Sequence, residues 1–315
     1  VARMPDGPAP PPTVQKLRIR YAKRGRLRFT SHRDIQRAFE RALRRAAVPM
    51  AYSAGFTPHP KVSWAGAAPT GVASEAEYVE IGVTRALVPA ELAAALDESL
   101  PADLDILEVV EAATPNLMER LEASVWEIRL PGVEPKVAVD AVAAFVAAPE
   151  VLVERMTKNG VRTFDARAAV TAMEAAGGEV AGADPAADAA DGAGDGPDGP
   201  ADGPAGAGSV SGAAEGDGVS AGESGVGEGG GRQDRPCAIL RLVVRHLTPA
   251  VRPDDVLTGL GRVAGLVPPV PPQVTRLAQG PLRDGSDATP TSVSVEALSD
   301  PLDPDRAAAG SAGER

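Results

Sequence analysis

From Lys16 to Tyr21 apolar and polar side chains alternate. Leu17, Ile19 and Tyr21 fall on one side, and Lys16, Arg18 and Arg20 on the other, which predicts a half-buried strand. After a turn at "GRLRF" the period lengthens. Ile35, Ala38, Phe39, Ala42, Leu43 and Ala46 recur at intervals of three and four, the stripe of an amphipathic helix. Ser31 is its expected N-cap, with Asp34 as a capping-box partner, and Pro49 stops it. A turn-rich loop, "YSAGFTPHPK", leads to two strands, "KVSWAGA" and "AEYVEIGVT". Glu75, just before the second, and Glu77 and Glu80 within it read as solvent-facing charges. "VPAELAAALDESL", with Leu92, Leu96 and Leu100 along one side, predicts a short helix, and "DLDILEVVEA" a closing strand. The order β-α-β-β-α-β is the ferredoxin-like pattern, an antiparallel sheet with two helices on one face.

The pattern partly repeats. "SVWEIRL" predicts a strand, and "PKVAVDAVAAFVAA" a helix with Val139, Val142 and Val146 on one side. A hairpin about the "NG" turn follows. Later, "CAILRLVVRH", "PDDVLTGLGRVAGL" and "QVTRLAQGPL" predict strand, helix and strand. The expected fold is α+β, with two ferredoxin-like domains in tandem, the second degenerate and interrupted by an acidic insertion.

Composition sets the boundaries. From Gly178 to Gly231 there is no lysine, arginine or aromatic residue, only Ala/Gly/Asp/Pro-rich repetition that cannot offset the entropy of ordering. The expected organisation is a disordered arm over 1–13, a basic domain over 14–113 and a second α+β domain over 122–172 plus 236–280. A disordered insertion over 173–235 and a disordered tail over 281–315 complete it. The single cysteine, Cys237, reads as a small buried residue opening a strand and fits a reducing compartment. No secretory apolar run and no stretch long enough to span a bilayer is found, so a cytoplasmic, membrane-free protein is expected.

Charge changes the picture most. The net charge is −11, yet residues 14–64 hold 13 Lys/Arg against 2 Asp/Glu, a net of +11. The remaining 264 residues hold 19 against 41, a net of −22. The partner of the basic quarter is therefore expected to be anionic. Arg33, Arg37, Arg41 and Arg45 recur every four residues along the helix, with Arg44 beside them and Arg18, Arg20, Arg26 and Arg28 nearby. Phosphate contacts by such side chains release counterions and give salt-sensitive affinity for nucleic acid. The following loop adds Tyr52, Phe56, His59, Lys61 and Trp64, aromatics of the kind that stack on unpaired bases. Trp64 is a candidate to stack or pack, while Phe56 is expected in the core. Three destinations stay open for this face: RNA, an acidic protein partner, and plain solvent, since arginine outnumbers lysine 27 to 5 throughout.

His32 and His59 are candidates for acid and base in metal-independent RNA cleavage, although a protonated His32 at a helix start is disfavoured. No phosphate loop, nucleophile elbow, zinc motif or dinucleotide fingerprint is found, so no metal and no cofactor is expected.

The run from Arg26 to Ile81 resembles the radical SAM-linked proteins, a bacterial domain family of unknown function (DUF2344). The resemblance rests on Arg28, Phe29, Ser31, His32 and Asp34. It continues through Arg41, Arg44 and Arg45, then Ser53, Gly55, Phe56, Pro58, Pro60 and Lys61, then Gly71, Ser74 and Glu77. It covers roughly residues 15–172 and resumes after 236. It implies an accessory partner to a radical SAM protein in trans, because the three-cysteine cluster motif is lacking. Together these readings point to an RNA-binding accessory protein, with a tRNA among the candidate ligands. The nucleic-acid contacts would be Arg18, Arg20, Arg26, Arg28, Arg33, Arg37, Arg41, Arg44, Arg45, Lys61 and Trp64. A ribonuclease using His32 or His59, and a protein-docking scaffold without RNA, are the alternatives.

Overall fold

A computed structural model describes residues 10–158, 160–178, 236–283 and 293–312. The first half lays down β1 (Gln15–Lys23), α1 (His32–Arg45), β2 (Val62–Ala65), β3 (Ala73–Val83), α2 (Pro89–Ser99) and β4 (Ile106–Glu111). A one-turn helix, α3 (Leu117–Arg120), leads into the second half. There follow β5 (Ala123–Pro131), α4 (Pro135–Ala147), β6 (Leu152–Thr157), β7 (Gly160–Asp165), β8 (Val170–Gly177), β9 (Cys237–Arg245), α5 (Pro253–Ala264) and β10 (Gln273–Gly280). The last element is α6 (Asp303–Ala312). The protein is thus a mixed α+β structure built around a sheet.

The main sheet has eight strands in the order β4-β1-β3-β10-β5-β9-β8, with β2 also paired to β3. In the first half the order is β4-β1-β3-β2, all antiparallel. In the second it is β10-β5-β9-β8, again all antiparallel. With the separate β6–β7 hairpin set aside, each half places its fourth, first, third and second strands side by side. The two sets join where β3 runs parallel to β10, through the pairs Ala73–Thr275 and Ser74–Arg276. β3 serves both neighbours because β2 uses only its later part, from Tyr78 to Ile81.

Each half buries its own helix-backed core. Leu17, Ile19 and Tyr21 of β1 pack with Val79, Ile81 and Val83 of β3, under Phe39 of α1 and Leu96 of α2. Ile128, Leu130, Leu240 and Leu242 pack under Phe145 of α4 and Leu260 of α5. Cys237 opens β9 and is buried. Gly259 shows why α5 carries glycine on that face. A Cβ there would meet Phe145 at 2.8 Å.

The join is polar inside. Arg276 and Glu77 are 3% and 2% exposed and form an ion pair. Arg276 also donates from Nε to Ser74 Oγ at 3.2 Å, and its guanidinium lies 5.5 Å from the Trp126 ring centre. Glu77 accepts from the Ala68 N–H at 3.1 Å. Burial pushes the Glu77 carboxyl up, but Arg276, Ser74 and the Ala68 N–H outweigh it, and the net shift is downward. Glu77 is therefore not the solvent-facing strand charge expected, and alternation does put it in phase with Val79 and Ile81. Among the described residues no buried side-chain nitrogen or oxygen lacks a partner.

The tail also departs from expectation. Over 281–315 the chain was expected to be disordered, yet Val293, Leu298 and Leu302 are buried and α6 packs beside β4. Asp305 of α6 is fully buried against Arg18, Arg120 and Thr114. Arg306 pairs with Glu108, Asp300 and Asp303. Sparse apolar residues hid this segment, because it is held largely by charge. Likewise β8 runs on to Gly177, past the expected start of the insertion at 173. Residues 179–235 and 1–9 lie outside the described residues. No described helix is long and apolar enough to cross a membrane.

The buried pair makes a stability prediction. Arg276→Met or Glu77→Gln alone strands a charge and should cost about 3–5 kcal/mol in denaturant unfolding. The double variant Arg276→Met/Glu77→Leu should recover part of that loss, since neither partner of the pair is then left behind, while buried Lys23 loses the support of Glu77.

Candidate nucleic-acid interface

Helix α1 is built as its pattern predicts. Ser31 caps it, accepting from the Asp34 N–H at 3.3 Å and donating its hydroxyl to Asp34 Oδ2 at 2.7 Å. Its apolar face, Ile35, Ala38, Phe39, Ala42 and Leu43, is buried. Trp64 of β2 closes that core. Its ring lies 5.2 Å from Phe39, 5.3 Å from His32 and 6.1 Å from Tyr21. Trp64 therefore packs, and is not free as a base-stacking platform.

Anchoring the apolar face turns the arginines out. Arg33, Arg37, Arg41, Arg44 and Arg45 are all exposed. Arg37 pairs with Asp34 at 3.3 Å and Arg44 with Glu40 at 3.8 Å, while Arg45 donates to the Ser99 carbonyl. Exposed pairs of this kind are screened by solvent and contribute little, so a phosphate can displace them. Arg33 and Arg41 make no direct ion pair among the described residues, although the charge of Arg33 helps to lower the Asp34 carboxyl.

The 3-10 turn at Gly25–Phe29 continues this surface. Arg26 is exposed, and the Arg28 guanidinium stands 4.6 Å from the centre of the Phe29 ring, which is 56% exposed. The turn is well tethered. The Arg28 carbonyl accepts from the Gly71 N–H at 2.7 Å, the Arg24 N–H donates to Asp103 O at 2.8 Å, and the Arg24 side chain pairs with Glu75 and Asp105. Gly25 is required there. Its φ is +47°, and a Cβ would overlap Asp103.

On the far side of α1, the 51–61 loop closes on itself. Ser53 N–H donates to the His59 carbonyl at 2.8 Å, and His59 N–H to Ser53 Oγ at 3.0 Å. Phe56 stands at its tip, 71% exposed, contrary to its expected place in the core. Lys61 is exposed and bonds Thr13 Oγ1 at 2.9 Å.

Two expected contacts lie elsewhere. Arg18 is 2% exposed and held by Glu80 and Asp305. Arg20 bonds the Glu75 carbonyl at 3.0 Å and lies 3.7 Å from Asp300. Alternation correctly put both on the polar face of β1, but residues 298–306 cover that face. A cleft of about 500 Å³ beside Lys16, Arg18 and Glu80 offers no free Arg18 donor, since each guanidinium nitrogen already has a partner.

The histidines do not form a pair. His32 Nε2 is 3.0 Å from Gln36 Nε2 and its ring meets Trp64 edge-on, whereas His59 is exposed on the loop. Burial pulls His32 below its ordinary 6.5, with Glu77 opposing and Lys23 adding to the shift. The third histidine, His246, bonds Ser124 Oγ at 2.8 Å and the Leu121 carbonyl at 2.6 Å, and burial lowers it too. No group of three or more His, Cys, Asp or Glu suited to a metal ion occurs among the described residues.

A family model described as an uncharacterized protein conserved in bacteria, DUF2344, matches residues 16–191, more than half of the chain. The chain belongs to the DUF2344 family. The match spans α1, the tethered Phe29 turn, the Phe56 loop and Glu77, so the basic surface and one side of the buried pair lie within the DUF2344 region. Arg276, Asp305 and α6 lie beyond it. No curated protein matches the chain.

Both shifted histidines predict a pH effect. Below about pH 6.5 the unfolded chain binds protons that the folded one resists, so stability is full above that value and falls as pH drops through it. Denaturant midpoints should fall between about pH 7.5 and about pH 5.5. His246→Gln should show a smaller fall than the wild type.

Proposed function

We propose that this DUF2344 protein is an RNA-binding accessory protein that acts with a radical SAM enzyme and presents RNA on the outer face of α1. The carrying observation is the row of exposed guanidinium groups along α1, two of which, Arg33 and Arg41, make no direct ion pair among the described residues. Arg26 and Arg28 extend the row at one end and Lys61 lies on the loop past the other. Arginine suits this role because its planar fork meets phosphate oxygens two at a time. Arg18, Arg20 and Trp64 are left out of the contact set, being used inside the fold.

The radical SAM link comes from the resemblance of the 26–81 run. The radical chemistry is assigned to the partner, since this chain's single cysteine, Cys237, is buried. The repeated strand order of the two halves supports reading them as tandem ferredoxin-like domains, the second interrupted after β8. His32, with its ring occupied by Gln36 and Trp64, gives the ribonuclease reading little support.

The test is a salt titration of RNA binding by the full chain. Log affinity should fall linearly with log salt, with a slope of about −0.7 for each phosphate contacted on a single strand. Arg33→Gln/Arg41→Gln should weaken binding and flatten the slope by about 1.4. Absence of RNA affinity at low salt, together with capture of an acidic protein by the same arginines, would favour the docking scaffold instead.

A further inference from the structure

Two large aromatic side chains stand exposed on the segments that precede and follow the basic helix, one on a tethered turn and one on a loop closed at its base. Phe29 belongs to the turn that leads into α1. Its neighbour Arg28 is fixed by the Gly71 N–H at 2.7 Å, and the Arg28 guanidinium lies over its ring. Phe56 belongs to the loop that follows α1, closed at its base by the Ser53–His59 bonds and by the Tyr52–Pro60 bridge. Neither ring is needed for the core, which Phe39, Tyr21 and Trp64 already fill. An exposed aromatic on a mobile segment would carry little information. One on a tethered turn presents a fixed π-face at no further ordering cost.

We propose that the ligand of this surface is an unpaired strand of RNA, whose phosphates follow the α1 arginines and whose bases stack on Phe29 and on Phe56. The inference rests on the RNA reading above and narrows it. A duplex keeps its base faces stacked on one another and offers an aromatic ring nothing, whereas a single strand exposes them. Phe29 precedes α1 and Phe56 follows it, so the proposal assigns the two rings to different nucleotides and not to one sandwich. The Arg28 guanidinium over Phe29 leaves that ring's opposite face for a base and brings a cation beside the stacked nucleotide.

The test uses the full chain and two labelled probes of roughly 15 nucleotides each, an unstructured RNA and a perfect RNA duplex, followed by fluorescence anisotropy. Wild-type protein should prefer the single strand. Phe29→Ala and Phe56→Ala should each weaken single-strand binding by about 5- to 100-fold, leave duplex binding unchanged and leave the salt slope unchanged. Phe29→Leu and Phe56→Leu, which keep an apolar group but lose the ring, should behave like the alanine variants. Circular dichroism should match wild type throughout, because neither ring is buried.

Equal affinity for both probes, or phenylalanine variants that bind the single strand like wild type, would overturn the stacking proposal. If Arg33→Gln/Arg41→Gln still lost affinity in that case, RNA binding through the arginines would stand. If neither probe bound at any salt concentration, both readings would fall together.

Discussion

A guanidinium and a carboxylate shut away from water are tolerable only when they neutralise each other and every remaining donor and acceptor is used. Arg276 and Glu77 meet that condition at the one place where the two halves of the sheet touch. The parallel contact of β3 with β10 is only two residue pairs long, too short to hold eight strands in register unaided. Side chains extend it. Arg276 reaches Glu77 and Ser74, and Gln279 reaches the carbonyls of Ala76 and Gly66. Lys23 adds bonds to the carbonyls of Ala68 and Pro69. These bonds pin the 66–72 stretch, and Gly71 at its end holds the carbonyl of Arg28. The buried pair is thus linked, through the backbone from Ala68 to Gly71, to the turn that displays Phe29. Geometry at the basic surface depends on charge compensation in the interior.

Much of this was legible in the sequence, and what escaped did so for physical reasons. Periodicity found α1, its Ser31 cap and the strands around it, because one face of each is buried and the other is not. Cys237 was readable as a buried strand residue. Periodicity is silent, however, about what covers the polar face of a strand. Arg18 and Arg20 alternate with Leu17 and Ile19 as an exposed row would, yet residues nearly 300 positions away cover them. Glu77 stands on the same side of its strand as Val79 and Ile81, and Arg276 is the one charge of its strand. A charge in phase with apolar residues was the available signal, but nothing local says which charge answers it. Phe56 and Trp64 show the reverse error. Both are aromatics in one loop-and-strand stretch, and only packing against Phe39 and His32 decides that Trp64 turns inward while Phe56 stays out.

The same residue type does opposite work on the two sides of β1. Beneath, Arg18 is locked to Glu80 and Asp305 and acts as a structural rivet whose removal leaves a bare charge. Above, on α1, arginine is held by weak, water-screened pairs or by none. The concentration of positive charge in residues 14–64 is therefore not one electropositive surface. Part of it is consumed internally by Glu75, Glu80, Asp105, Asp300 and Asp305, and what remains is a narrower track along one helix. That narrowing matters for recognition, because a track can follow a strand where a broad patch would only attract one.

The neighbouring strands β8 and β9 have one further implication. They pair antiparallel from Val170–Val244 to Gly177–Ala238, and the Gly178 N–H bonds the Cys237 carbonyl at 2.9 Å. The 57 residues between Gly178 and Pro236 therefore leave and re-enter the sheet at adjacent points. Loop-closure entropy rises only logarithmically, about 0.6 kcal/mol for each doubling of length. That makes the site a natural port, where evolution or an engineer can lengthen, shorten or swap the connecting sequence while the scaffold scarcely registers the change.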